Sequence, residues 1–174
     1  MQSFRHKKSQ ITKQGKRMIV LVCLTAILFS SCSGEYKIRI GDSKFDIKEH
    51  YTPCVSMNQL DVYKIDEAYL VTVLYGDVVC KIAEFSAQRK CLRTRKLNLI
   101  TNEGAEHYLG MSFEALTGEL GRPHFDEGSG FYIPSYITED GYLICLYIDE
   151  DDCVYAVRKY DLFKGDMVEL CNAE

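Results

Sequence analysis

Proline and glycine are scarce, at three and twelve residues in 174. With 47% hydrophobic residues, among them twelve Tyr and eight Phe, that shortage excludes collagen-like, low-complexity and disordered chains and leaves enough apolar surface for a packed core. The length allows one domain or two very small ones. Long apolar runs are also missing: residues 18–29 form the only one, and its roughly 12 residues fall short of the roughly 20 that a helix needs to cross a bilayer core. No acid occurs in residues 1–31, which hold Arg5, Lys7, Lys8, Lys13, Lys16 and Arg17. The remainder then carries 15 bases against 25 acids, which excludes a basic nucleic-acid binder. Catalytic signatures are absent too: no G-x-S-x-G, H-E-x-x-H, phosphate-binding loop or dinucleotide fingerprint occurs.

What is present begins with an export signal. A basic stretch, the apolar run and the small cluster Ser30-Ser31-Cys32-Ser33-Gly34 are the three regions of a secretory signal peptide. The tail Phe29-Ser30-Ser31-Cys32 resembles a bacterial lipobox, which implies a signal over residues 1–32 and lipidation of Cys32. Ordinary cleavage after Ser33, with Ser31 and Ser33 as the small pair, would instead release a soluble secreted protein. Beyond the signal stand Cys54, Cys80, Cys91, Cys145, Cys153 and Cys171, an even number in a disulfide-permissive compartment, so one or two disulfides are expected beside buried free thiols. No C-x-x-C spacing suggests zinc, and no metal or cofactor is expected.

Residues 33–100 read as a β-rich first module. Residues 69–75 and 78–85 are two strands joined at Gly76-Asp77, where glycine supplies the positive φ of a tight hairpin. Residues 89–100 suggest a further strand, whose Arg89, Lys90, Arg93, Arg95 and Lys96 suit a protected edge or a patch for an anionic partner. Residues 36–50 suit a hairpin better than a short helix capped by Ser43. From 101 the period changes: residues 102–109 and 112–120 have helical spacing, with Ser112 as N-cap and Gly121 as stop. Strands over 132–138, 142–148 and 153–160 follow, so residues 101–174 read α-α-β-β-β with a C-terminal tail.

The run Leu109-Gly-Met-Ser-Phe-Glu-Ala-Leu116, then Leu120-Gly-Arg-Pro123, Tyr136, Asp140-Gly141 and the strand and acidic turn through Asp152 resemble the SmpA/OmlA (BamE) lipoprotein domain and the wider fold of the β-lactamase inhibitor protein. The resemblance covers about 50 residues, and it implies an α+β class: a short helical hairpin packed on an antiparallel sheet, preceded by the β-rich first half. A faint repeat at an offset of 73 sets Tyr63, Tyr69 and Leu70 on Tyr136, Tyr142 and Leu143. The inhibitor protein is a tandem of such modules, so the repeat implies a duplicated arrangement; the first half lacks a clear helix pair, which leaves either a degenerate first module or one domain with an extended sheet.

Alternation along 142–148 and 153–157 places Ile144, Leu146, Ile148, Val154 and Ala156 toward the helices. Leu143, Cys145, Tyr147, Cys153, Tyr155 and Val157 then line a second face that is too apolar for solvent, so it is either covered or a partner surface. Leu143, Tyr147, Tyr155 and Val157 are its partner-binding candidates. Residues 101–174 hold 16 acids and four bases, against nine and 11 in residues 33–100, a field suited either to steering a basic partner or simply to solvation. Asp149-Glu-Asp-Asp152 lacks the glycine and distal glutamate of a calcium loop and reads as a solvated turn. The sequence therefore points to a non-enzymatic lipoprotein, anchored in the cell envelope and facing the periplasm or the cell surface. It would act as a protein-binding or accessory subunit, or as an inhibitor of an exported protein. The rival is a small envelope hydrolase pairing a cysteine with His107 or His124.

Overall fold

The computed structural model describes residues 36–173; the expected signal segment and the expected lipidation site Cys32 lie outside the described residues. Two five-stranded antiparallel meanders follow one another along the chain. The first comprises α1 (Lys44–Lys48), β1 (Val55–Ser56), β2 (Leu60–Ile65), β3 (Ala68–Tyr75), β4 (Val78–Ser86) and β5 (Cys91–Arg95). The second has a single 3-10 turn (Ala105–Tyr108), α2 (Phe113–Leu120), β6 (Phe125–Asp126), β7 (Pro134–Ile137), β8 (Tyr142–Ile148), β9 (Val154–Asp161) and β10 (Met167–Asn172). Strands adjacent in sequence are adjacent in space in both sheets.

This overturns the expected α+β class with its helical hairpin on a sheet: the described chain is a β-rich fold of two sheets, with short helical pieces on their outer faces. The failure has a local cause. Residues 102–109 lack a capping side chain, start at Gly104 and end before Gly110 at φ +75°, so only one 3-10 turn forms. The second expected helix does form, because the Ser112 side chain accepts from the Ala115 N–H and Gly121 ends it at φ +78°. Ser43 likewise accepts from the Phe45 N–H and caps α1, so the expected hairpin over residues 36–50 is instead a short helix that buries Ile47.

The sheets share one core. On the inner face of the first, Leu60, Val62, Val71, Val73, Ala83 and Phe85 alternate inward and meet Phe125, Ile137, Leu143, Cys145 and Leu162 of the second half. The outer face of the second sheet packs Tyr136, Ile144, Leu146, Val154 and Val157 against Ala105, Tyr108 and Leu116. On the outer face of the first, buried Asp61 accepts from Ser56 and pairs with Lys44 of α1 at 3.2 Å. Polar ties also join the two sheets. Arg89 in the β4–β5 turn pairs with buried Asp161, and the Asn58 N–H donates to Glu127 at 3.1 Å. Phe163 stacks on Tyr69 at 4.2 Å and lies against Gly141, where a Cβ would stand 2.5 Å from its ring.

The offset of 73 fits one strand pair and slips in the next. Tyr63 and Tyr136 both lie buried on the second strand of their sheets. Tyr63 pairs with Leu70, however, while Tyr136 pairs with Ile144 and not Leu143, so the second connection is one residue longer. That slip sends Leu143 to the opposite face.

Candidate protein-binding surface

Strict alternation fails on β9 because of a bulge. Leu146 pairs with Val157 and Tyr147 with Ala156, but Ile148 pairs with Val154, which leaves Tyr155 as the extra residue. Val157 consequently joins Val154 against the helices, fully buried, and Ala156 turns to the side of Tyr147. Leu143 is also fully buried, in the core between the sheets. Of the four candidates, Leu143 and Val157 are thus core residues: the first half covers one and the bulge turns the other inward. Tyr147 is half-buried at the margin of the shared core, and Tyr155 is 46% exposed.

Those two tyrosines form the middle of a surface that continues onto the last strand. Their rings meet edge to face at 6.3 Å, and the exposed Arg158 guanidinium stands over the Tyr147 ring at 4.7 Å. Burial pushes the Tyr147 phenol up, with Arg158 opposing. Arg158 pairs in register with Leu170 of β10, and Met167, Val168 and Leu170 are each about half exposed. Met167, Val168 and Leu170 escape the sequence reading, which treats everything after the last expected strand as a tail, and Arg158 escapes it because the candidates on its strand stop at Val157. The signal was the apolar spacing around Glu169 in Met-Val-Glu-Leu.

The other sheet edges are built differently. β1 and β6 are two residues long, and β5 carries Arg93, paired with Glu84, and Arg95. Short and charged edges resist strand addition. β10 has six residues, ends its sheet, and carries only Glu169 as a charge.

The remaining candidates are occupied structurally. His124 is buried: its Nδ1 accepts from the Ile137 N–H at 2.8 Å and its Nε2–H donates to the Asn98 carbonyl at 2.6 Å, and burial lowers its pKa to about 4. His107 pairs with Glu119 at 2.9 Å. All six described cysteines are free thiols, so the expected disulfides do not form; they sit on separate strands and loops, and burial raises the Cys145 thiol to about 12. A thiol raised in this way is the reverse of an activated nucleophile. The Asp149 carboxylate accepts from the Asp151 and Cys153 N–H groups and holds the acidic turn. Comparison with known protein families, with curated proteins and with solved structures finds no match to this chain.

Proposed function

We propose that this protein is an envelope lipoprotein, anchored through Cys32, whose domain binds another envelope or exported protein as an accessory subunit. The observation that carries the reading is the continuous exposed surface of Tyr147, Tyr155, Arg158 and Leu170. Tyr and Arg are enriched among residues that dominate binding energy, and the half-buried Tyr147 offers a preformed anchor. Lipidation rests on the Phe29-Ser30-Ser31-Cys32 tail. The five residues between Cys32 and Ile38 would span at most about 20 Å, so an anchored domain works close to the bilayer. No helix of the described residues is long and apolar enough to cross a membrane.

The test is crosslinked affinity purification of the tagged protein from its host's membrane fraction, alongside the Cys32→Ala and Tyr155→Ala variants. A stoichiometric partner that is lost with Tyr155→Ala, and membrane recovery lost with Cys32→Ala, supports the reading. A soluble protein recovered alone in every case contradicts it.

A further inference from the structure

Resting on that reading, we propose that the partner docks by strand addition: an extended segment pairs with β10 as a sixth strand, with apolar side chains over Tyr155 and Leu170 and basic ones over Glu106 and Glu169. The backbone geometry sets the edge. The Ala173 N–H donates to the Tyr155 carbonyl at 2.8 Å, so alternation turns the N–H and C=O groups of Leu170 and Asn172 away from β9. Beyond them no strand of the described residues follows. A row of open donors and acceptors is the template that strand-adding partners use, with main-chain bonds giving affinity and alternate side chains giving specificity.

Charge selects the occupant. On the helix side of β10, Glu169 pairs with Lys159 at 3.5 Å, and the negative charges of Glu169 and Glu106 both act on Cys171. The half from 101 to 174 carries 16 acids against four bases in all. A second copy of β10 added antiparallel would bring its own Glu106 and Glu169, with only Lys159 against them, to this same side, so net negative charge would face net negative charge. An incoming strand with Lys or Arg at alternate positions meets the opposite condition. Toward the other sheet, Leu170, Tyr155 and the Tyr147–Arg158 stack offer apolar and aromatic contact.

The probe is a capped peptide of about ten alternating Lys and Val residues, with a Glu–Val peptide as control, added to the lipid-free domain while amide exchange is followed by NMR. The proposal expects the Lys–Val peptide alone to slow exchange at Leu170 and Asn172 by at least about tenfold. Asn172→Pro removes an outward donor without touching the β9 ladder or the tyrosines, and it should abolish that protection with the fold unchanged. No protection at millimolar peptide, equal protection by both peptides, or amides already protected in a dimer of the free protein would overturn it. The two readings separate in the purification. A native partner that survives Asn172→Pro but is lost with Tyr155→Ala rejects strand addition and keeps the binding surface, and survival with both variants rejects the surface as well.

Discussion

β5 and β10 are each the last strand of a five-stranded meander, and each leaves one side of its sheet unpaired, yet their surfaces differ in kind. β5 sits in a basic stretch in which Arg89 reaches Asp161 and Arg93 reaches Glu84, and Lys90 and Arg95 are exposed. β10 presents Met167, Val168 and Leu170 with a single carboxylate among them. A protein under general pressure against edge-to-edge aggregation would blunt both edges. β5 is blunted by charge along its length, whereas β10 has only Glu169 and a bulge at Val168, and its apolar edge lies where Tyr147, Tyr155 and Arg158 adjoin it.

That contrast depends on both edges belonging to one body, and the largest predicted effect tests this. Leu143→Ala empties a site that both sheets fill, so it should cost about 2–5 kcal/mol in urea unfolding and leave a single transition. Separate transitions for the two halves would make β5 and β10 edges of independent units. Acid offers a second test through His124, whose ring joins Asn98 beyond β5 to Ile137 of β7. Its folded pKa lies below the unfolded value, so the stability it contributes is complete above pH 6.5 and is lost as pH falls toward 4. The loss should approach about 3 kcal/mol across that window, and His124→Gln should flatten the slope. Next comes Gly141→Ala, where positive φ and the Phe163 ring leave no room for a Cβ; about 1–3 kcal/mol should be lost in the same assay. Smallest in stability is the edge exchange Leu170→Lys, which gives β10 the character of β5. Its melting curve should stay within about 0.5 kcal/mol of the parent while partner recovery falls.

Local signals in the chain were legible where one residue decides the geometry. Gly76 marked the β3–β4 hairpin and Ser112 with Gly121 marked α2, because each acts within a few residues. The two-sheet class was not legible, since helical spacing over residues 102–109 reports amphipathicity and not the missing cap at Gly104. Half of the candidate surface was visible. Tyr147 and Tyr155 stood out as aromatics on a face too apolar for water, but Val157 was misplaced because a single bulged residue changes the parity of everything after it. Leu143 depended on what the first sheet covers, a contact between distant residues that no local period encodes.

The most direct measurement uses two leucines of nearly equal exposure, Leu92 on β5 at 53% and Leu170 on β10 at 48%. Each is replaced in turn by a photo-crosslinking residue, and the protein is irradiated in cells that naturally express it. The account predicts a discrete covalent adduct to one envelope or exported protein from position 170 and none from position 92. Equal adducts from both positions, or an adduct from 92 alone, would contradict the assignment of β10 as the binding edge.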